Sequence, residues 1–171
     1  MTNYNLKQLS FMTVDDNAHM CALVKSILIA LGVKNVMDAS NGEEAFKKLR
    51  LFSADIVICD WNMEPMDGID FTKKIRNSNE SPNVFVPIIM LTGHTEMKRV
   101  VEARNAGINE FLAKPISVKS LYSRIRSIIE KPRPFIRVDQ YFGPDRRRRG
   151  SDTFLGTERR IKDEGDTIDT N

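Results

Sequence analysis

Ile56-Val57-Ile58-Cys59 is an uninterrupted apolar run closed by an acid, Asp60. A strand with one wet face alternates apolar and polar residues, whereas a parallel strand covered on both faces does not. Ile88-Ile89-Met90-Leu91 repeats the pattern and ends on Thr92. Toward the N-terminus, Phe11-Met12-Thr13-Val14 reads as a first strand followed by Asp15-Asp16, and Val33 to Met37 as a weaker second one. Toward the C-terminus, the short run Phe111-Leu112-Ala113 ends at Lys114-Pro115.

Segments of helical period separate these strands. Met20, Val24, Ile27, Leu28 and Leu31 make one stripe, which Gly32 ends. Ala45, Phe46 and Leu49 follow Asn41-Gly42, and Phe71 and Ile75 follow Asp67-Gly68. Thr95 is placed to cap a helix with Met97, Val100 and Val101 inward. Val118, Leu121, Ile125, Ile128 and Ile129 form the last stripe. Five strand–helix units in succession predict an α/β fold, a doubly wound five-stranded parallel sheet with helices on both faces.

Composition divides the 171 residues in two. Residues 1–130 hold 61 of the 70 apolar residues, enough for a core; residues 131–171 hold 9 in 41. The reading is therefore a folded domain over 1–130 and a basic, mixed-charge, largely disordered tail over 131–171. Lys131-Pro132-Arg133-Pro134 stops the last helix, and four arginines, 146–149, follow Gly143-Pro144-Asp145. A formal net charge of +3 excludes a strongly basic nucleic-acid coat protein and a strongly acidic chain. Cys21 and Cys59 lie in apolar runs and read as free thiols, no secretory signal is visible, and the longest apolar stretch is too short to span a bilayer, so the expectation is a cytoplasmic protein without a membrane span.

Open parallel sheets bind ligands at the carboxyl ends of their strands. Asp15, Asp16, Asp60, Thr92 and Lys114 all fall there, brought from four strands to one edge. Any one alone reads as a cap, a turn residue or a surface lysine. Together they describe a site. Two carboxylates 4 Å apart repel by about 4 kcal/mol at an effective dielectric near 20, and a small oxygen-preferring cation such as Mg²⁺ relieves that. His94 and His19 do not suggest zinc.

Val14-Asp15-Asp16-Asn17, Asp60-Trp61-Asn62-Met63, Met66-Asp67-Gly68, Leu91-Thr92-Gly93 and Phe111-Leu112-Ala113-Lys114-Pro115, in that order, resemble the signature of response-regulator receiver domains of two-component signalling. The resemblance covers about residues 8–130 and is to the stand-alone, chemotaxis-regulator-like type. It implies a flavodoxin-like (βα)5 fold with strand order 2-1-3-4-5. It also implies that Asp60 is the phosphoacceptor, served by a sensor histidine kinase or a histidine phosphotransfer protein. Asp16 and Asp60 would ligate Mg²⁺ directly, with the backbone carbonyl of Asn62, and Asp15 mostly through water. Lys114, joined to Pro115 by a cis bond, would pair with the phosphoryl oxygens. Thr92 would hydrogen-bond them and, with Phe111, form a switch pair. One departure stands out: Glu64 lies where many family members carry proline, and Pro65 comes next.

The implied activity is phosphorylation-dependent protein binding, with catalysis confined to the protein's own phosphorylation and dephosphorylation. A phosphorelay shuttle or phosphate sink is the alternative within signalling. A nucleic-acid-binding module acting through the arginine-rich tail is the alternative from another class. The tail is too short and too poor in apolar periodicity for a winged-helix DNA-binding domain.

Overall fold

Capping side chains decide where the helices begin, so the strand-end acids are not needed as caps. The computed structural model describes residues 4–93 and 97–147. After a 3-10 turn at Leu6–Gln8, the order is β1 (Ser10–Val14), α1 (Ala18–Ala30), β2 (Asn35–Ala39), α2 (Gly42–Lys48), β3 (Ile56–Asp60) and α3 (Gly68–Asn77). Then come β4 (Ile88–Thr92), α4 (Met97–Ala106), β5 (Glu110–Ala113), α5 (Val118–Glu130), β6 (Phe135–Val138) and β7 (Tyr141–Pro144). Asn17 caps α1, its side chain accepting from the His19 and Met20 N–H groups. Asn41, Asp67 and Ser117 cap α2, α3 and α5 in the same way.

The sheet is parallel in the order β2-β1-β3-β4-β5, with Phe11 beside Ile56, Val57 beside Ile88 and Met90 beside Phe111. This is the doubly wound arrangement the sequence implies. Every residue of β3 and β4 is buried. Alternate side chains supply two separate cores. Met12, Val57, Cys59 and Met90 pack beneath α2, α3 and α4, while Phe11, Ile58, Ile89 and Leu91 pack beneath α1 and α5.

Local expectations fail where a residue packs without belonging to an element. Val33 is buried, yet β2 starts two residues later. Its N–H bonds Leu28 O at 3.0 Å to finish α1 after Gly32, which adopts φ 93°. Val101 and Val118, expected inward, are 53% and 47% exposed; among the described residues of α4, Ala103 and Ala106 are the buried ones. Thr95 lies outside the described residues.

The largest departure is in the tail. Residues 135–144 form an antiparallel hairpin, with Arg137 opposite Phe142 and Val138 opposite Tyr141. Averaged over 41 residues the segment is polar, but five of its nine apolar residues fall within 135–142. The turn is Asp139-Gln140, with Asp139 at φ 50°, a conformation that Asp tolerates better than most side chains. Phe85, Phe135 and Phe142 pack edge to face or tilted, with ring centroids 5.2 to 5.6 Å apart. Gly143 lies against Gly107; a Cβ on Gly143 would stand 3.0 Å from the Gly107 Cα. The remainder of the expected tail, residues 148–171, lies outside the described residues.

Beneath the hairpin sits Arg76, 1% exposed. Its guanidinium donates to Gly107 O at 3.1 Å, Val84 O at 2.7 Å, Val86 O at 2.8 Å and Asn109 Oδ1 at 3.1 Å. Phe135 covers it at 5.0 Å. Burial pushes its pKa down to about 9, so it remains charged at neutral pH. The hairpin thus shields a buried cation. Deleting residues 135–171 is expected to lower stability by about 2 kcal/mol, from lost aromatic burial and the uncovered guanidinium. The urea midpoint checks this, and an unchanged midpoint would show that the hairpin contributes nothing.

Candidate functional site: an acidic cluster with a paired lysine

The site is built from strand ends. Asp15 follows β1 and Asp60 closes β3; the two are 5% and 6% exposed, while Asp16 is open to solvent. One carboxylate oxygen from each of the three lies within 4.8 Å of the others. Lys114 follows β5, and its Nζ stands 2.8 Å from Asp60 Oδ1. Its backbone N–H donates to Thr92 O at 2.8 Å, which ties the ends of β4 and β5 together. The bond between Lys114 and Pro115 is cis, as the resemblance implies, and so is Glu64–Pro65.

Packing fixes Asp60 from behind. The Gly68 N–H donates to Trp61 O at 2.9 Å, and a Cβ on Gly68 would come within 2.4 Å of Asp60 O. Only glycine permits that approach. The start of α3 is therefore pressed directly against the phosphoacceptor candidate. Trp61, 3% exposed, carries the Arg99 guanidinium over its ring at 4.9 Å, linking α4 to the residue beside Asp60. Neither Arg99 nor Arg76 was legible as important, because each acts on a partner far away in sequence.

Thr92 is 6% exposed at the end of β4. Phe111 on β5 pairs with Met90, and Thr92 lies two residues beyond Met90, so all three share the sheet face that α4 covers. Phe111 is half-buried against that core. Thr92 and Phe111 are therefore diagonal neighbours on one face of the sheet. Asn62 is exposed at the rim, and His94 lies outside the described residues.

The electrostatics fit a cation. Asp15 Oδ1 accepts from the Asn17 N–H at 2.8 Å, while its Oδ2 is buried without a hydrogen-bond partner. Burial, assisted by the neighbouring Asp60 charge, pushes the Asp15 carboxyl up to about 6. An all-oxygen donor set with one orphaned carboxylate oxygen suits a hard divalent ion, and Mg²⁺ is the common small one. Cys21 and Cys59 are free thiols, and burial pushes both above the usual range. None of the described helices is long and apolar enough to cross a membrane.

Comparison with known proteins agrees with this architecture. The family model for the response regulator receiver domain matches residues 11–126. Chemotaxis protein CheY-3 of Vibrio cholerae is 34% identical over 125 residues, covering 73% of this chain and 95% of that protein. Chemotaxis protein CheY4 of Vibrio cholerae superposes with a TM-score of 0.65 at 30% identity, covering 70% of this chain and 98% of that one. The receiver domain of the Arabidopsis thaliana histidine kinase CKI1, solved in complex with Mg²⁺, gives a TM-score of 0.66 at 28% identity, covering 74% and 95%. The chain belongs to the receiver-domain family of response regulators. The two bacterial relatives are chemotaxis proteins of the CheY type.

The raised Asp15 pKa gives a signed prediction. Between about pH 4 and 6 the folded state holds a proton on Asp15 that the unfolded chain has released, so stability falls as pH rises through that window. Above about pH 6 the cost is complete, on the order of 3 kcal/mol. Asp15→Asn, compared with wild type by urea unfolding in divalent-free buffer, is expected to be the more stable at pH 7 and to converge with it near pH 4. A constant difference across that range would refute the assignment.

Proposed function

We propose that this protein is a stand-alone response regulator that takes a phosphoryl group onto Asp60 and thereby changes its binding to a partner protein. The donor is a sensor histidine kinase or a histidine phosphotransfer protein. The observation that carries the reading is Lys114 Nζ, 2.8 Å from Asp60 Oδ1 beside the three-carboxylate cluster. Without such neighbours, a buried carboxylate is a poor place to add a dianionic group. This one has a cation in contact and oxygen ligands for another.

An Asp60 carboxylate oxygen acts as nucleophile. It forms the new P–O bond as the P–N bond of the donor's phosphohistidine breaks; the released nitrogen keeps the P–N electron pair, and the imidazole departs neutral because its other ring nitrogen already carries a proton. Phosphoryl transfer asks a protein chiefly for positioning and charge neutralisation. The β3 ladder and the Gly68 contact position Asp60. Lys114 follows the incoming oxygens, and the Thr92 hydroxyl donates to them. Asp16, Asp60 and the Asn62 carbonyl would hold Mg²⁺ directly, with Asp15 acting mostly through water. Bound there, the ion neutralises charge on the transferring group. As Thr92 turns toward the phosphoryl group, Phe111 moves into the space it leaves, altering the face formed by α4, β5 and α5. The protein's chemistry is confined to its own Asp60, and the setting is the cytoplasm.

Incubation with Mg²⁺ and a small acyl phosphate, read by intact mass, is expected to add one phosphoryl group to wild type and none to Asp60→Asn. Labelling that persists in the variant would overturn the reading.

Two further variants separate the parts. Mg²⁺ titration should produce a saturable change in Trp61 fluorescence, lost in Asp16→Ala; identical responses would place the ion elsewhere. Lys114→Ala should still gain mass, while the NMR shift changes that phosphorylation causes along β4 and β5 disappear. A wild-type pattern of shifts would remove Lys114 from the switch.

A further inference from the structure

α4 is lightly held. Over 99–106, where its side chains are described, the buried residues are the small Ala103 and Ala106, Val100 is half-buried and Val101 faces solvent. Its fastenings lie at its two ends instead. Near the start, Arg99 lies over the Trp61 ring at 4.9 Å, one residue from Asp60. At the other end, Asn105 Oδ1 accepts a hydrogen bond from Arg146, just beyond the hairpin.

The hairpin holds the same end of α4 by two more routes. Gly143 of β7 packs on Gly107, the residue that follows α4 at φ 106°: a Cβ on Gly143 would stand 3.0 Å from the Gly107 Cα, and a Cβ on Gly107 would stand 2.9 Å from the Arg76 side chain. Arg76 donates to Gly107 O and to the Asn109 side chain with one edge of its guanidinium, while Phe135 lies over its face. Tyr141 completes the fastening. Its hydroxyl donates to Pro144 O at 2.7 Å, and the Arg146 guanidinium lies over its ring at 4.4 Å. Arg146 thus touches the hairpin with its face and α4 with its edge. The turn between α4 and β5 is gripped from both sides, by Arg76 below and by Gly143 above.

We propose that the 135–144 hairpin is a clamp on the C-terminal end of α4, so that the state of Asp60 is transmitted through α4 to the hairpin and to the arginines that follow it. This rests on the reading of Asp60 as phosphoacceptor. A displacement of α4 cannot leave the hairpin untouched, because close-packed contacts such as Gly107 on Gly143 break or follow and do not stretch. The coupling is reciprocal: whatever binds and displaces the hairpin shifts the equilibrium at Asp60 by the same factor. The receiver's signal then reaches a segment beyond the part that the family model matches, residues 11–126.

Hydrogen exchange by mass spectrometry on the full chain tests this, with and without Mg²⁺ and a small acyl phosphate, using intact mass as the control for phosphorylation. Amides in 97–107 and in 135–147 are expected to change exchange rate together, by about fivefold or more. In the double variant Asn105→Ala/Arg146→Ala the mass gain and the α4 response should persist while the hairpin response shrinks. Gly143→Ala, which opens the contact with Gly107 by a different route, should shrink it as well. A wild-type hairpin that exchanges at the same rate in both states, despite a full mass gain, overturns the clamp. So does a hairpin response of full size in both variants. Absence of any mass gain overturns the phosphoacceptor reading, and the clamp with it.

Discussion

Like charges forced together at one sheet edge are the constraint to which the rest of the molecule answers. Asp15, Asp16 and Asp60 would separate if the chain were free to let them. They are held because β1 and β3 are neighbouring strands in a fully buried ladder, whose register admits no slip without turning core side chains to the wrong face. The two hydrophobic cores therefore do more than stabilise; they supply the force that keeps an unfavourable arrangement in place. The raised carboxyl of Asp15 and its unpartnered oxygen are where that opposition is visible. Lys114 relieves part of it and leaves the remainder for a cation.

Division of labour among neighbouring residues follows from the same constraint. Acids after a strand ordinarily cap the next helix. Here Asn17 caps α1, which leaves the carboxylate of Asp16 unused by the backbone. Asp67 caps α3, so Gly68 can stand at the helix start and press against the Asp60 carbonyl. Neighbouring residues thus take up the capping, so that Asp15, which gives one oxygen to the Asn17 N–H, Asp16 and Asp60 keep carboxylate oxygens for the site.

What could be read in the sequence was what is written locally. Ile56–Cys59 and Ile88–Leu91 announce buried parallel strands through lack of alternation, and their polar terminators announce the edge where ligands bind. What could not be read depends on distant partners or on averages. Val33 belongs to the core but finishes a helix, which periodicity cannot distinguish from starting a strand. Arg99 has no local mark that it lies over Trp61. The hairpin was hidden by averaging, since its apolar residues crowd into one short stretch of a polar tail, and its Asp139-Gln140 turn lacks the glycine that usually betrays such a loop. Strand order came from resemblance, because no pattern within a single strand states which neighbour it will have.

Arg76 carries a consequence for which residues are interchangeable here. No carboxylate faces it among the described residues; its charge is solvated by three carbonyls and an amide oxygen that approach in the guanidinium plane, with an aromatic ring above. The protein has built a hydration shell from its own backbone. Lysine has the same charge, yet its three tetrahedral N–H groups cannot meet four in-plane acceptors, and it offers no flat face to Phe135. At this position the shape of the cation matters more than its sign, and so a change that preserves charge would not preserve the site.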